Sequence, residues 1–188
     1  MRFIQIFAVI LALTACTHFG VRPDDPNPPD PVPRPAPDKL VERLIERLAK
    51  NPHLSAQRIG NSDTVLVQVR SGDSFPPDSV FPTKILTGVL DHVVSSMNAV
   101  GGKYIIKAVG HTDNVGSQQA NIQASERRAL NVVYHLVSKG IDWKLIGYEG
   151  KGSQEPIASN DTQEGRDVNR RVDLLIRPCK FLTCSAAD

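Results

Sequence analysis

Residues 104–140 read YIIKAVGHTDNVGSQQANIQASERRALNVVYHLVSKG, and their two halves have different periods. Tyr104 to Val109 is short, rich in β-branched residues and enters after Gly101-Gly102, which predicts a strand. From about Asn121 to Lys139 the apolar residues Ile122, Ala129, Val132, Val133, Leu136 and Val137 recur at three and four, which predicts a helix closed by Gly140. A strand followed directly by an amphipathic helix is the repeating unit of a sheet with helices packed on it. Between the two lies Gly110-His111-Thr112-Asp113-Asn114, a polar loop at the strand end, where function tends to collect.

The same pattern extends outward. Leu40, Val41, Leu44, Ile45 and Leu48 predict a helix opened by Asp38 and closed by Asn51-Pro52. Leu54–Ile59 and Thr64–Val69 flank Gly60-Asn61-Ser62 as a hairpin. A helix is expected over Lys84–Asn98, with Ile85, Leu86, Val89, Leu90, Val93, Val94 and Met97 inward. Leu145–Tyr148 and Arg171–Ile176 read as the last two strands. The expected fold class is therefore an α/β (α+β) two-layer sandwich, a mixed sheet with helices on one face.

Composition narrows the function. The 188 residues carry 22 Lys plus Arg against 20 Asp plus Glu, a net charge of +2. No basic stripe for a phosphate backbone follows from that balance, and aromatics at 5% leave little for base stacking. No nucleic-acid partner is expected. A hydrolase would need a positioned acid/base or a zinc-bound water. No His-Glu-x-x-His, nucleophile elbow or defensible carboxylate pair is present, so no enzymatic activity, cofactor or metal is expected. His111-x-Asp113 lacks a third ligand at sensible spacing, and His111 reads as a packed strand-end residue. Gly147, Gly150 and Gly152 follow a strand but precede Pro156 rather than a helix, which argues against a phosphate loop.

The N-terminal part reads as an address. Met1-Arg2 is followed by an apolar run from Phe3 to Leu13, too short to span a bilayer and the right length for a secretory signal. It ends in Leu13-Thr14-Ala15-Cys16, which resembles the bacterial lipobox. That resemblance implies cleavage before Cys16 and lipidation of its sulfur; an ordinary signal peptide is the alternative. Thr17 rather than Asp follows the cysteine, and resemblance to enterobacterial lipoproteins then implies transport onward to the periplasmic face of the outer membrane. Eight of 14 prolines fall between Val21 and Asp38, a spacer in polyproline II that reaches on the order of 60 Å.

Three clusters carry the chemistry: Gly110-His111-Thr112-Asp113 with Gly116; Asn121 and Ser125-Glu126-Arg127-Arg128-Ala129; and Gly165-Arg166 with Asn169-Arg170-Arg171-Val172. In this order and spacing they resemble the OmpA-like peptidoglycan-binding domain of outer-membrane protein A and the peptidoglycan-associated lipoprotein. The one departure is Ala124, where the family usually has leucine. On a helix, Asn121, Ser125 and Arg128 share one stripe, and Arg128 leans back toward the Asp113 loop. A carboxylate and a guanidinium facing one pocket suit a zwitterion, although the two could equally form an internal salt bridge. The resemblance implies the first: Asp113 takes the ammonium and Arg128 the carboxylate of meso-diaminopimelate in the stem peptide. Asn121 and Thr112 would fix the loop or donate hydrogen bonds, and Arg170 would add positive charge at the rim. Arg127 reads as solvated.

The expected organisation is a signal peptide at 1–15, lipidated Cys16 with a Pro-rich tether at 16–38, an amphipathic helix at 39–52, the binding domain at 53–178 and a tail at 179–188. With Cys16 acylated, Cys179 and Cys184 remain as an even pair, either a disulfide or two free thiols. Two cellular roles stay open: a tether between outer membrane and wall, with Tol-type partners, or a structural subunit of a type IVB secretion core complex.

Overall fold

The computed structural model describes residues 37–69, 74–76, 79–179 and 184. The expected signal peptide, Cys16, the expected tether up to residue 36 and most of the 179–188 tail lie outside the described residues.

Helix α1 spans Pro37–Leu48. Its proline stands at the first helical position, where a missing N–H costs nothing. The helix therefore begins before Asp38, which lies in the first turn and does not precede it as a cap. Val41, Leu44 and Leu48 are fully buried in the main core, together with residues of all five strands. This helix is thus part of the same packing unit as residues 53–178, not an appendage to it.

Strands β1 (Leu54–Arg58) and β2 (Val65–Val69) form the expected hairpin. Helix α2 runs Lys84–Val100, with the Thr83 hydroxyl capping Leu86 N–H at 3.1 Å. Its buried stripe begins at Leu86; Ile85, one position outside it in the first turn, remains 39% exposed, contrary to the expectation that it points inward. Strand β3 is Tyr104–Gly110 and helix α3 is Gln118–Ser138. Ser117 caps α3 through Ala120 N–H at 3.2 Å, so the helix starts three residues before Asn121. A short 3-10 turn at Trp143–Leu145 leads into β4 (Ile146–Gly150). Helix α4 (Gln163–Asn169), which the sequence reading did not contain, precedes β5 (Val172–Pro178).

The five strands lie in the order β1-β2-β5-β3-β4. Only β3 and β4 run parallel, joined by α3, as a parallel pair requires a crossover. β5 is antiparallel to both β2 and β3. The sheet is mixed and the helices pack on one face. Side chains alternate, so Val65, Val67, Tyr104, Ile106, Ala108, Leu174 and Ile176 meet buried residues of α1, α2 and α3. At one end of the sheet Gly110 pairs with Val172 and Gly150; at the other Tyr104 pairs with Pro178. Cys179, just past that second end, pairs with Cys184, their Cα atoms 6.0 Å apart.

Candidate functional site

The Gly110 end of the sheet holds the site, because α3 approaches the strands there more closely than ordinary side chains permit. A Cβ on Gly150 would stand 2.5 Å from Glu126 N and 2.6 Å from Ser125 Oγ. A Cβ on Gly110 would run into the Ser125 carbonyl. Ser125, fully buried, uses the space: its hydroxyl donates to Ile122 O at 2.8 Å and accepts from Gly152 N–H at 2.9 Å. Thr112 N–H donates to Gly152 O at 2.9 Å. The loop after β3 is thereby clamped against the loop after β4, beneath the first half of α3.

A pocket of about 440 Å³ opens over this clamp. Its walls are Thr112, Asp113 and Val115 after β3; Asn121, Ala124 and Arg128 on α3; Ser79 and Val80 before α2; and Gln163, Arg166 and Arg170 from α4 and its end. All five binding residues expected from sequence (Thr112, Asp113, Asn121, Arg128 and Arg170) therefore line one cavity.

Their contacts are specific. Asp113, 8% exposed, accepts Val115 N–H on Oδ1 at 3.0 Å and Arg170 Nη1 on Oδ2 at 2.6 Å. Asn121 Nδ2 donates to the Asp113 carbonyl at 3.4 Å, holding the loop. Thr112 is buried, and its Oγ1 has no hydrogen-bond partner among the described residues. Arg128 is buried with its guanidinium over the Phe75 ring at 5.1 Å and its Nε donating to Ser79 O at 2.9 Å. The ionic partner of Asp113 is thus Arg170, not Arg128.

Arg170 departs from its expected place. It is not a rim charge: its side chain is 14% exposed and its guanidinium bridges Asp113 and Asp167. The reason is α4, whose C-terminal end carries Arg170 inward beside the β3 loop. Asn169, fully buried, secures that helix by accepting Ile157 and Ala158 N–H and donating to Ala158 O and Asn160 Oδ1, all at 2.9–3.1 Å. Gln163, absent from the expected site, and Arg166, which stands in the third sequence cluster without a binding role, also line the pocket. With Arg170 they sit at i, i+3 and i+7, a one-face pattern visible once Thr162 is seen as the helix cap. Arg166 donates to Asn160 O at 2.8 Å and Gln163 Oε1 at 2.9 Å, both neutral acceptors.

His111 is packed, as expected for a strand-end residue, at 1% exposure. Its Nε2 stands 3.4 Å from Asp173 Oδ2. Arg127 is exposed.

Three arginines and one aspartate line the pocket, which suits a ligand carrying an amine and an acidic group. Residues 83–170 match the OmpA family. The chain carries an OmpA-like domain. The match begins one residue before α2 and ends at Arg170, so it encloses most of the pocket wall.

Outer membrane protein A of Bordetella avium is 51% identical over 88 residues, 47% of this chain and 45% of that protein. Peptidoglycan-binding protein ArfA of Mycobacterium tuberculosis is 48% identical over 67 residues, 36% of this chain and 21% of that protein. The chain spans less than half the length of these curated relatives. Among solved structures, the cell wall anchor of the T6SS from Pseudomonas aeruginosa superposes with a TM-score of 0.60 at 23% identity, over 74% of this chain and 97% of that one. That likeness establishes the fold: a mixed sheet with helices on one face.

Proposed function

We propose that the OmpA-like domain binds peptidoglycan non-covalently, through the free amine and carboxylate on one carbon of meso-diaminopimelate. The observation that carries this reading is the convergence of Asp113 and Arg128, from a strand-end loop and a helix, on one cavity of about 440 Å³. Desolvated charge–charge contacts of this kind discriminate strongly between partners. The name of the ArfA relative supports the same ligand class. The binding is non-enzymatic, and zymography on purified cell wall is expected to show no clearing.

Cys16 carries the lipid that places the domain at the periplasmic face of the outer membrane, and the Pro-rich tether spans the distance to the wall. Each acyl CH₂ contributes about 0.8 kcal/mol to anchoring, so two or more chains hold stably. A helix left over by the binding domain would favour the alternative, a structural subunit of a secretion complex. Val41, Leu44 and Leu48 of that helix are committed to the core, which favours the tether.

Two experiments test the proposal. The full chain should pellet with purified peptidoglycan of the diaminopimelate type, and free meso-diaminopimelate should release it; failure to pellet refutes the ligand. Cys16→Ser should leave an unprocessed or mislocalised precursor; full outer-membrane recovery of that variant refutes the anchor.

A further inference from the structure

Asp113 is not an open carboxylate. Oδ1 holds Val115 N–H and Oδ2 holds Arg170 Nη1, at 3.0 and 2.6 Å. The carboxylate that a ligand ammonium would meet is already neutralised by a cation of the protein itself. The other arm of that guanidinium, Nη2, is paired with Asp167.

We propose that Arg170 is the specificity filter of the pocket: it yields Asp113 to an α-amino-acid zwitterion and withholds it from a simple amine. The inference rests on the diaminopimelate reading and adds how the site recognises that group.

The reasoning is one of charge exchange. A bare amine reaching Asp113 replaces one cation by another on the same carboxylate. It sheds its own hydration and leaves Nη1 of the guanidinium without its acceptor in a largely buried setting, so the exchange yields little. A zwitterion delivers its carboxylate one carbon from its ammonium, beside the guanidinium it has just displaced. One ion pair then becomes two. Arg170 need not leave the pocket, because Asp167 keeps hold of Nη2 while Nη1 turns from Asp113 to one side of the incoming carboxylate, which Arg128 meets from α3. Its Nε, buried with no hydrogen-bond partner among the described residues, lies on the Nη2 edge of the guanidinium, so Nη1 alone turns to the carboxylate and Nε–H reports the rotation. Arg166 does not compete for Asp113, since its guanidinium is held by Asn160 O and Gln163 Oε1. Specificity here comes from an unfavourable state imposed on the wrong ligand as much as from contacts to the right one.

Calorimetric titration of the full chain with meso-diaminopimelate and with cadaverine, the same carbon chain length between amines without carboxylates, tests this. The wild type should prefer diaminopimelate by about 30-fold or more. Arg170→Gln should bind cadaverine more tightly and diaminopimelate more weakly, shrinking that ratio at least about tenfold. Arg170→Lys, which keeps a cation beside Asp113, should retain most of the preference. An undiminished ratio in a folded Arg170→Gln variant that still binds diaminopimelate overturns the filter while leaving the proposed ligand intact. A wild type that binds neither compound overturns the ligand itself, and the filter with it. Should Arg170→Gln not fold, the wild type still decides: the NMR signal of Arg170 Nε–H should move on saturation with diaminopimelate, and a stationary signal overturns the proposal.

Discussion

Arg171 Nε reaches both carboxylate oxygens of Asp173, at 3.1 and 3.2 Å, in a buried cluster directly behind the pocket loop. His111 Nε2 approaches the same carboxylate at 3.4 Å and Gln68 Nε2 donates to it at 3.1 Å. His111 N–H in turn donates to Arg171 O at 2.9 Å. The strand end that presents Thr112 and Asp113 is therefore tied to β5 by backbone and side chain together.

This cluster makes stability depend on acid pH. Burial pushes the Asp173 carboxyl up, but the His111 hydrogen bond and the Arg171 charge outweigh it and hold the group below its ordinary value of 3.8. A carboxyl whose folded value is lowered stabilises the fold above its unfolded value and loses that contribution as pH falls through the folded one. Asp173→Asn should cost about 3–5 kcal/mol at neutral pH, because it leaves Arg171 buried against a neutral group. Urea unfolding followed from neutral pH to about pH 2 should show the gap between wild type and variant narrowing below the ordinary carboxylate range. A gap of constant size would contradict the assignment.

Gly150→Ala should move the helix that carries Asn121 and Arg128. The added methyl meets Glu126 N and Ser125 Oγ, both on α3 and not the ends of flexible chains. Overpacking of this kind costs about 1–3 kcal/mol. Melting temperature and peptidoglycan pelleting should fall together, since the displaced helix forms one pocket wall. A variant that melts and pellets like wild type would show that the close approach is not required.

The fold was legible because each long element has one strong period. Val132, Val133 and Leu136 mark α3, and Val65, Val67 and Val69 mark β2, whatever surrounds them. The first turn of α3 was not legible: Gln118-Gln119-Ala120 carries no apolar stripe, and only the Ser117 cap announces it. Helix α4 was missed for the same reason, as Gln163-Glu164-Gly165-Arg166-Asp167-Val168-Asn169 buries only Gly165 and Asn169. That omission propagated. Without α4, Arg170 reads as the start of a strand at the rim, and its bridge between Asp113 and Asp167 has no local signal. The Ser79–Val80 wall likewise depends on contacts across some fifty positions, to Arg128 and Asn131.

The Cys179–Cys184 bridge should matter for the tail and not for binding. Cys179 N–H donates to Lys103 O at 2.8 Å, at the end of β3 opposite Asp113. Seven residues of strand separate the two ends, roughly 20 Å. A loop this short contributes only about 2 kcal/mol on the chain-entropy account. Replacing both cysteines with serine should lower the melting temperature slightly and leave pelleting unchanged. Alkylation of both thiols in non-reduced protein, read by mass spectrometry, would rule the bridge out.

The account stands most directly on Asp113 and Arg128 acting as the two poles of one binding pocket. Sedimentation of Asp113→Ala and Arg128→Ala with purified peptidoglycan, beside Arg127→Ala on the exposed side of the same helix, measures that. Removing one partner of a desolvated charge pair costs about 2–5 kcal/mol, roughly 30-fold or more in affinity. The two pocket variants should stay in the supernatant with a folded circular-dichroism spectrum, while Arg127→Ala pellets. Wild-type pelleting by both pocket variants would contradict the account.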